Sequence, residues 1–157
     1  MRKNINKTII LSILLIATIC MFSSCKKMDV GVTYNVNTGD RVTVYCANKD
    51  LDFRPELPFS ILDKKVTIAQ GNFITLEEYD AYVSGLNNAT DDVTVYQLET
   101  PKENIIYSFY SYVEGEKTEY NYIIKIKDSN TALVFGSTVS KEAAEKAFDA
   151  LKLMIQK

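Results

Sequence analysis

The side chains that could do chemistry in this chain are its carboxylates, lysines, tyrosines and three cysteines, because it contains no histidine. Nucleophilic systems that pair serine or cysteine with histidine are therefore excluded in their usual form. Zinc sites with histidine ligands are excluded for the same reason. Catalysis by carboxylates or lysines remains open, so an enzymatic interpretation depends on where the acidic residues lie.

The candidate carboxylates lie in two predicted loops, DLDFRPE (50–56) and the pair Asp91-Asp92. A calcium-binding loop has acidic or amide residues at its first, third and fifth positions, followed by glycine and a later glutamate. Here Arg54 holds the fifth position and no glycine follows. Nothing places two carboxylates across a shared cleft, as acid/base catalysis on a glycan requires. We interpret these acids as solvated loop charges, and we expect no metal site, no cofactor and no enzymatic activity.

Tyrosine is abundant, with ten residues, whereas tryptophan is absent. A tyrosine ring combines a flat apolar face with a hydroxyl group, which suits stacking on a sugar or burial in a protein interface. The competing interpretation is that these rings fill the space between a sheet and a helix. The candidate ligand-binding residues all lie in one predicted hairpin and are Tyr110, Tyr112, Tyr120 and Tyr122.

The elements that must position these side chains are mainly strands. RVTVYC (41–46) and the segment around 93–98 are rich in Val, Thr and Tyr, which favour a half-buried sheet. IIYSFYSYV (105–113), EYNYIIKIK (119–127) and TALVFGSTV (131–139) are separated by turn residues and predict a meander of three antiparallel strands.

Two helices are predicted from their capping residues. Thr75 and Glu78 fit a capping box at the start of the first helix. Ser140 caps a second helix, SKEAAEKAFDALKLMIQK, which we expect to run to the end of the chain. Its apolar stripe consists of Ala144, Ala147, Phe148, Leu151 and Ile155. The fold class is therefore α+β: an antiparallel sheet with a C-terminal amphipathic helix and one further helix packed on it.

The N-terminus combines a basic start with an apolar run of 15 residues, Thr8 to Phe22. That run is short for a membrane-spanning helix, which needs about 20 residues, and is typical of a secretory signal. The ending Phe22-Ser23-Ser24-Cys25 resembles the lipobox of bacterial lipoproteins, although the family usually has leucine in place of phenylalanine. The resemblance implies a signal peptide at 1–24 and lipidation of Cys25, whereas a retained signal anchor is the alternative.

The residues after Cys25 bear on location. Lys26 stands where the inner-membrane retention signal of Gram-negative lipoproteins has aspartate, which favours the outer membrane. The acidic run of surface-exported lipoproteins is also missing, which favours the periplasmic face. The expected organisation is a lipidated cysteine and tether at 25–40, followed by a single α+β domain at 41–157. The membrane is thus an expected partner, through the lipid on Cys25.

Cys46 is then the one cysteine left for the folded domain, so no intrachain disulfide is expected. It alternates with Val42 and Val44, which predicts a buried structural thiol. The predicted signal holds three of the 18 basic residues and none of the 20 acids, so the mature chain has a formal charge of −5. Because phosphate binding rests on clustered positive charge, nucleic acid is not an expected partner.

The ending TALVFGSTVSKEAAEKAFDALKLMIQ resembles the close of PsbP-like and DcrB-like domains, where a last strand leads into an amphipathic helix on the sheet. The resemblance covers about residues 93–157 and transfers no functional residue. It implies an α/β/α sandwich and an accessory or binding role in assembly.

The expected function is that of a lipid-anchored envelope protein of a Gram-negative bacterium of the Bacteroidota, with a non-enzymatic binding or assembly-accessory role and a possible protein partner. One alternative is an immunity lipoprotein that neutralises a basic toxin in the periplasm, because opposite charges raise encounter rates. Another is an envelope glycan hydrolase that uses carboxylates. A purely structural lipoprotein is the remaining alternative.

Overall fold

The computed structural model describes residues 31–156, so the predicted signal peptide, Cys25 and the first part of the predicted tether lie outside the described residues. Strands make up most of this part of the chain, and two helices interrupt them. The helices are α1 (Leu76–Asn87) and α2 (Lys141–Ala150). The strands are β1 (Gly31–Asn35), β2 (Arg41–Cys46), β3 (Leu51–Arg54), β4 (Phe59–Asp63), β5 (Val66–Thr75), β6 (Val93–Lys102), β7 (Ile105–Glu114), β8 (Lys117–Ile126), β9 (Thr131–Ser137) and β10 (Leu151–Gln156).

The strands form two antiparallel sheets. The large sheet has seven strands in the order β3-β4-β5-β9-β8-β7-β6, and the small sheet has three in the order β1-β2-β10. The predicted meander is confirmed, since β7, β8 and β9 are neighbours in the large sheet. The prediction of an α+β fold built on an antiparallel sheet is likewise confirmed. β1 lies inside the segment 25–40 that was expected to be a tether, and β3 lies inside a segment that was expected to be a loop.

The main core lies on one side of the large sheet, which we call the inner face. Directly opposite residues of antiparallel strands share a face, so the pairing register assigns each side chain to a side. Helix α2 and the small sheet both pack on the inner face. The buried residues of this core include Val42, Val44, Phe59, Ile61, Tyr107, Phe109, Tyr122, Ile124, Phe135, Ala144, Ala147, Phe148 and Leu153.

Helix α1 lies on the opposite side of the large sheet, the outer face. It begins with the predicted capping box: the Glu78 amide donates to Thr75 Oγ1 at 3.2 Å, and the Thr75 amide donates to Glu78 Oε2 at 2.7 Å. Tyr79 and Val83 pack on Ile123 of the sheet. This second cluster is smaller than the main core, so much of the outer face is left open.

The predicted extent of the C-terminal helix is wrong, because α2 ends at Ala150. Leu151 is extended, with φ −78° and ψ 128°, and it opens strand β10. β10 pairs along the whole of β2, with Leu151 opposite Cys46 and Leu153 opposite Val44. LKLMIQ has apolar residues at every second position as well as at helical spacing. Pairing with β2, which satisfies backbone groups that would otherwise lie at a sheet edge, decides between the two patterns.

Side chains next to β10 hold it in place. Asn104 Nδ2 donates to the Leu153 carbonyl oxygen at 2.7 Å, and Lys152 forms an ion pair with Glu103 at 3.0 Å. Both partners lie in the turn between β6 and β7, so this turn ties the small sheet to the large one. Neither helix in the part of the chain that the structure describes is long and apolar enough to cross a membrane.

Candidate functional site

The structure does not bring the four candidate tyrosines onto one surface. In the β7–β8 pair, Tyr110 lies opposite Asn121 and Tyr112 opposite Glu119, all on the outer face. The other two candidates, Tyr120 and Tyr122, lie on the inner face. The candidate set therefore divides into two pairs with different surroundings.

Tyr122 belongs to the core. Its ring stacks on Phe109 at 4.2 Å and on Phe148 at 4.0 Å between centroids, and both pairs are nearly parallel. Burial raises the pKa of Tyr122, with a further contribution from Glu145. Tyr120 is partly buried against the same core. The interpretation of tyrosines as rings that fill the space between sheet and helix holds for this pair.

Two grooves adjoin on the outer face, where Tyr110 of one lies opposite Asn121 of the other, and we call them together the shelf. Its floor includes a row of four directly opposite residues on adjacent strands. The row consists of Tyr110, Asn121, Gly136 and Gln70. The residues around it are Asn72, Glu119, Tyr112, Val93 and Thr138. The wall of the shelf is formed by Glu78, Tyr82 and Gly85 of α1.

One half of the shelf is a groove of about 540 Å³ between α1 and strands β6 and β7. Tyr82 and Tyr110 line it, and Tyr112 adjoins it opposite Val93. Tyr82 is 43 % exposed and Tyr112 is 38 % exposed, so large ring surfaces face solvent here. Sequence reasoning did not single out Tyr82 as a candidate site residue. Its position four residues after Glu78 was the available signal, because that spacing puts both side chains on one helix flank.

The other half is an open groove of about 230 Å³ in which amide and hydroxyl side chains lie beside Pro58 and Val134, and most of its accessible lining is apolar. Gly136 makes room for the Asn121 amide, since a Cβ at that position would overlap Asn121 Oδ1 and lie 3.0 Å from the Tyr120 carbonyl oxygen. Gln70 Nε2 donates to Ser60 Oγ at 3.2 Å, which leaves the Gln70 carbonyl oxygen available. The groove therefore presents both donors and acceptors.

Electrostatic interactions link residues of the two halves of the shelf. Burial, and then the nearby Tyr82 and Glu119, raise the pKa of Tyr110 to about 12, so its hydroxyl stays protonated at neutral pH. No lysine or arginine lines either groove in the described part of the chain. The shelf thus offers hydroxyls, amides and carboxylates without a cation.

The predicted acidic loops lie elsewhere. Asp50 lines a separate groove beside Lys146 and Asp149, and Asp91-Asp92 lie in the exposed turn before β6. No acidic side chain between residues 31 and 156 is buried. Within the same range, no group of three or more His, Cys, Asp or Glu residues is placed to hold a metal ion.

The remaining predicted site residues are the cysteines. Cys46 is buried in the main core, as predicted, and its Sγ lies 3.7 Å from the Asn48 carbonyl oxygen. Cys25, the predicted lipidation site, lies outside the described residues. No protein-family model, no curated protein and no solved structure matches this chain.

Proposed function

We propose that the protein is a lipid-anchored envelope protein with a non-enzymatic binding or assembly-accessory role, and that the shelf is its binding surface. The observation that carries this proposal is the pair of exposed tyrosines, Tyr82 and Tyr112, beside grooves that are mainly apolar and also contain amide and hydroxyl side chains. Concave sites that combine aromatic faces with a few convergent polar groups are typical of ligand binding. Covering exposed tyrosine rings with a partner contributes favourable binding free energy.

The proposed anchor is the lipid on Cys25, in the outer membrane and facing the periplasm. Its support is the resemblance of Phe22-Ser23-Ser24-Cys25 to a lipobox. Two or more acyl chains at that position would hold the domain firmly, since one chain gives only marginal binding. Metabolic labelling with an alkyne fatty acid should mark the wild-type protein and leave Cys25→Ser unlabelled. Equal labelling of both proteins would contradict the proposal, and fractionation of the two membranes tests the location.

The proposed finer fold is a variant of the PsbP-like α/β/α sandwich. Its support is that α1 and α2 pack on opposite faces of the large sheet. The departure is strand β10, which stands where the resemblance implies the end of the helix. An experimental structure with both helices on one face of the sheet would rule this fold out.

The experiment that tests the binding role uses the intact, lipidated protein in its native envelope. It would be tagged at its C-terminus, crosslinked and purified, and its partner would be quantified for the wild type, Tyr82→Ser and Tyr96→Ser. Tyr96 is a matched control, because it is 40 % exposed and its ring packs at a tilt against the inner-face residue Phe109. We expect the partner to be recovered with the wild type and Tyr96→Ser and to be lost with Tyr82→Ser.

The identity of the partner separates the alternatives. A basic toxin held in equal amount would indicate an immunity lipoprotein, and an assembly protein would indicate an accessory role. A glycan that is recovered in shortened form would indicate the carboxylate-dependent hydrolase instead. Equal recovery from all three proteins, or no partner from a folded and lipidated wild type, would refute the proposed binding surface.

A further inference from the structure

The row Tyr110, Asn121, Gly136 and Gln70 crosses four adjacent strands of the large sheet. Neighbouring strands lie about 4.8 Å apart, so the row spans roughly 15 Å. Hydrogen-bonding groups thus recur at intervals along a path that an elongated ligand could follow. The path lies on the face of the sheet and away from the unpaired edges of β3 and β6.

The amides of the shelf have unused hydrogen-bonding capacity. Gly136 lets the Asn121 amide lie close against the sheet. Within residues 31–156, neither the Asn72 side chain nor the Asn121 side chain forms a hydrogen bond. Each amide can donate two hydrogen bonds and accept two, which matches a ligand whose hydroxyls both donate and accept.

Aromatic surface is available at one end of the path. Tyr82 and Tyr112 are exposed beside the row, and Tyr110, whose hydroxyl is protonated at neutral pH, lies opposite Asn121 in the row. Ring faces favour the apolar C–H faces of a ligand, whereas the amides favour its polar edges.

From this arrangement we infer that the shelf binds a neutral oligosaccharide chain. The inference rests on the proposed binding role and names its ligand class. A sugar ring presents an apolar face and a rim of hydroxyls, which are the two kinds of surface that the shelf complements. An anionic ligand does not fit, because no cation lines either groove in the part of the chain that the structure describes. An extended peptide fits less well, because strand addition requires a sheet edge and the shelf is a sheet face.

The test measures binding of neutral hexasaccharides to the full lipidated protein by isothermal titration calorimetry. The probes are maltohexaose, cellohexaose, xylohexaose, mannohexaose and the hexamer of N-acetylglucosamine. The detergent has no sugar headgroup, so that it does not compete for the shelf. The variants are Asn121→Ala, Gly136→Ala and Tyr82→Ser, and the matched control is Asn130→Ala, an exposed asparagine in the turn between β8 and β9.

We expect at least one hexasaccharide to bind, with affinity about tenfold weaker for Asn121→Ala and Tyr82→Ser, since a lost hydrogen bond or stacking contact has about that effect. Gly136→Ala should weaken binding similarly, because its methyl group displaces the Asn121 amide. Asn130→Ala should bind as the wild type does. The circular dichroism spectrum of each variant checks that it is folded.

Two results would overturn the inference: no binding of any probe, or binding that Asn121→Ala leaves unchanged. If no hexasaccharide binds but a crosslinked protein partner is lost with Tyr82→Ser, the shelf is a binding surface for protein, so the binding role stands and the ligand class is wrong. If neither a sugar nor a partner depends on Tyr82, both proposals fail.

Discussion

Replacing Leu153 with alanine tests whether the chain ends in a strand or in a helix. In strand β10, Leu153 faces the main core opposite Val44 and is 4 % exposed, whereas its neighbour Met154 is 52 % exposed. In a continued helix, the stripe that starts at Phe148 would bury Leu151 and Ile155 and leave Leu153 away from the core. The cost of truncating Leu153 therefore differs between the two structures.

The magnitude follows from the burial of Leu153. Truncation of a buried leucine to alanine costs about 2–5 kcal/mol, because apolar surface and packing are both lost. Leu153 lies on an edge strand of the small sheet, where its surroundings can partly relax, so we expect about 3 kcal/mol. An exposed side chain such as Met154 should cost about 0.5 kcal/mol or less. In a domain of this size, the larger loss lowers the melting temperature by roughly 10 °C.

The assay is urea unfolding of Leu153→Ala and Met154→Ala beside the wild type, followed by circular dichroism. The transition midpoint should fall strongly for Leu153→Ala and stay nearly constant for Met154→Ala, with a common slope. Equal midpoints for the two variants would refute the strand, and so would a cost for Leu153→Ala that lies well below that for Ile155→Ala.

Three further predictions concern α1 and one ion pair. Thr75→Ala should destabilise the protein by about 1 kcal/mol in urea, because it removes the N-cap; no change would show that the bond to Glu78 is immaterial. Tyr79→Phe should raise the melting temperature, because within the described residues the buried Tyr79 hydroxyl has no hydrogen-bond partner; a fall would indicate a partner such as water. The bond from Lys146, at 2.7 Å, lowers the pKa of Asp63, so its stabilising effect is present above the unfolded-state pKa and is lost as the pH falls through the folded-state value. Asp63→Asn should therefore be less stable than the wild type at pH 7, and the two unfolding midpoints should converge in acid; a constant difference would exclude the linkage.

The meander and the start of α1 are predictable from the sequence because their signals are local. Alternation in 119–127 places every second residue on one face, and the capping residues Thr75 and Glu78 stand three positions apart. Strand β10 is different, since its apolar residues fit both periods. Only the vacant side of β2, which lies about 110 residues earlier in the chain, selects the strand.

The placement of the tyrosines could not be predicted from the sequence either, because it depends on the pairing register of β7 and β8. The two-residue turn between Glu114 and Lys117 sets Tyr112 opposite Glu119, so Tyr110 and Tyr112 of β7 lie on the face opposite to Tyr120 and Tyr122 of β8. A register shifted by one residue would put Tyr110, Tyr112, Tyr120 and Tyr122 on one face, as a single tyrosine-lined surface requires. The spacing of Glu78 and Tyr82 puts both on one helix flank, but Tyr82 joins the site only because α1 packs on the outer face, through contacts between segments far apart in the chain.

The sequence by itself determined the absence of histidine chemistry, the antiparallel strands and the helix caps, because each depends on residue types or on neighbours within a few positions. The tertiary structure decided which edge β10 covers, which tyrosines reach solvent and that amides of β5 and β8 share the outer face. Those outcomes depend on pairings between segments far apart in the chain, where a single residue of register moves a side chain from the core to the surface.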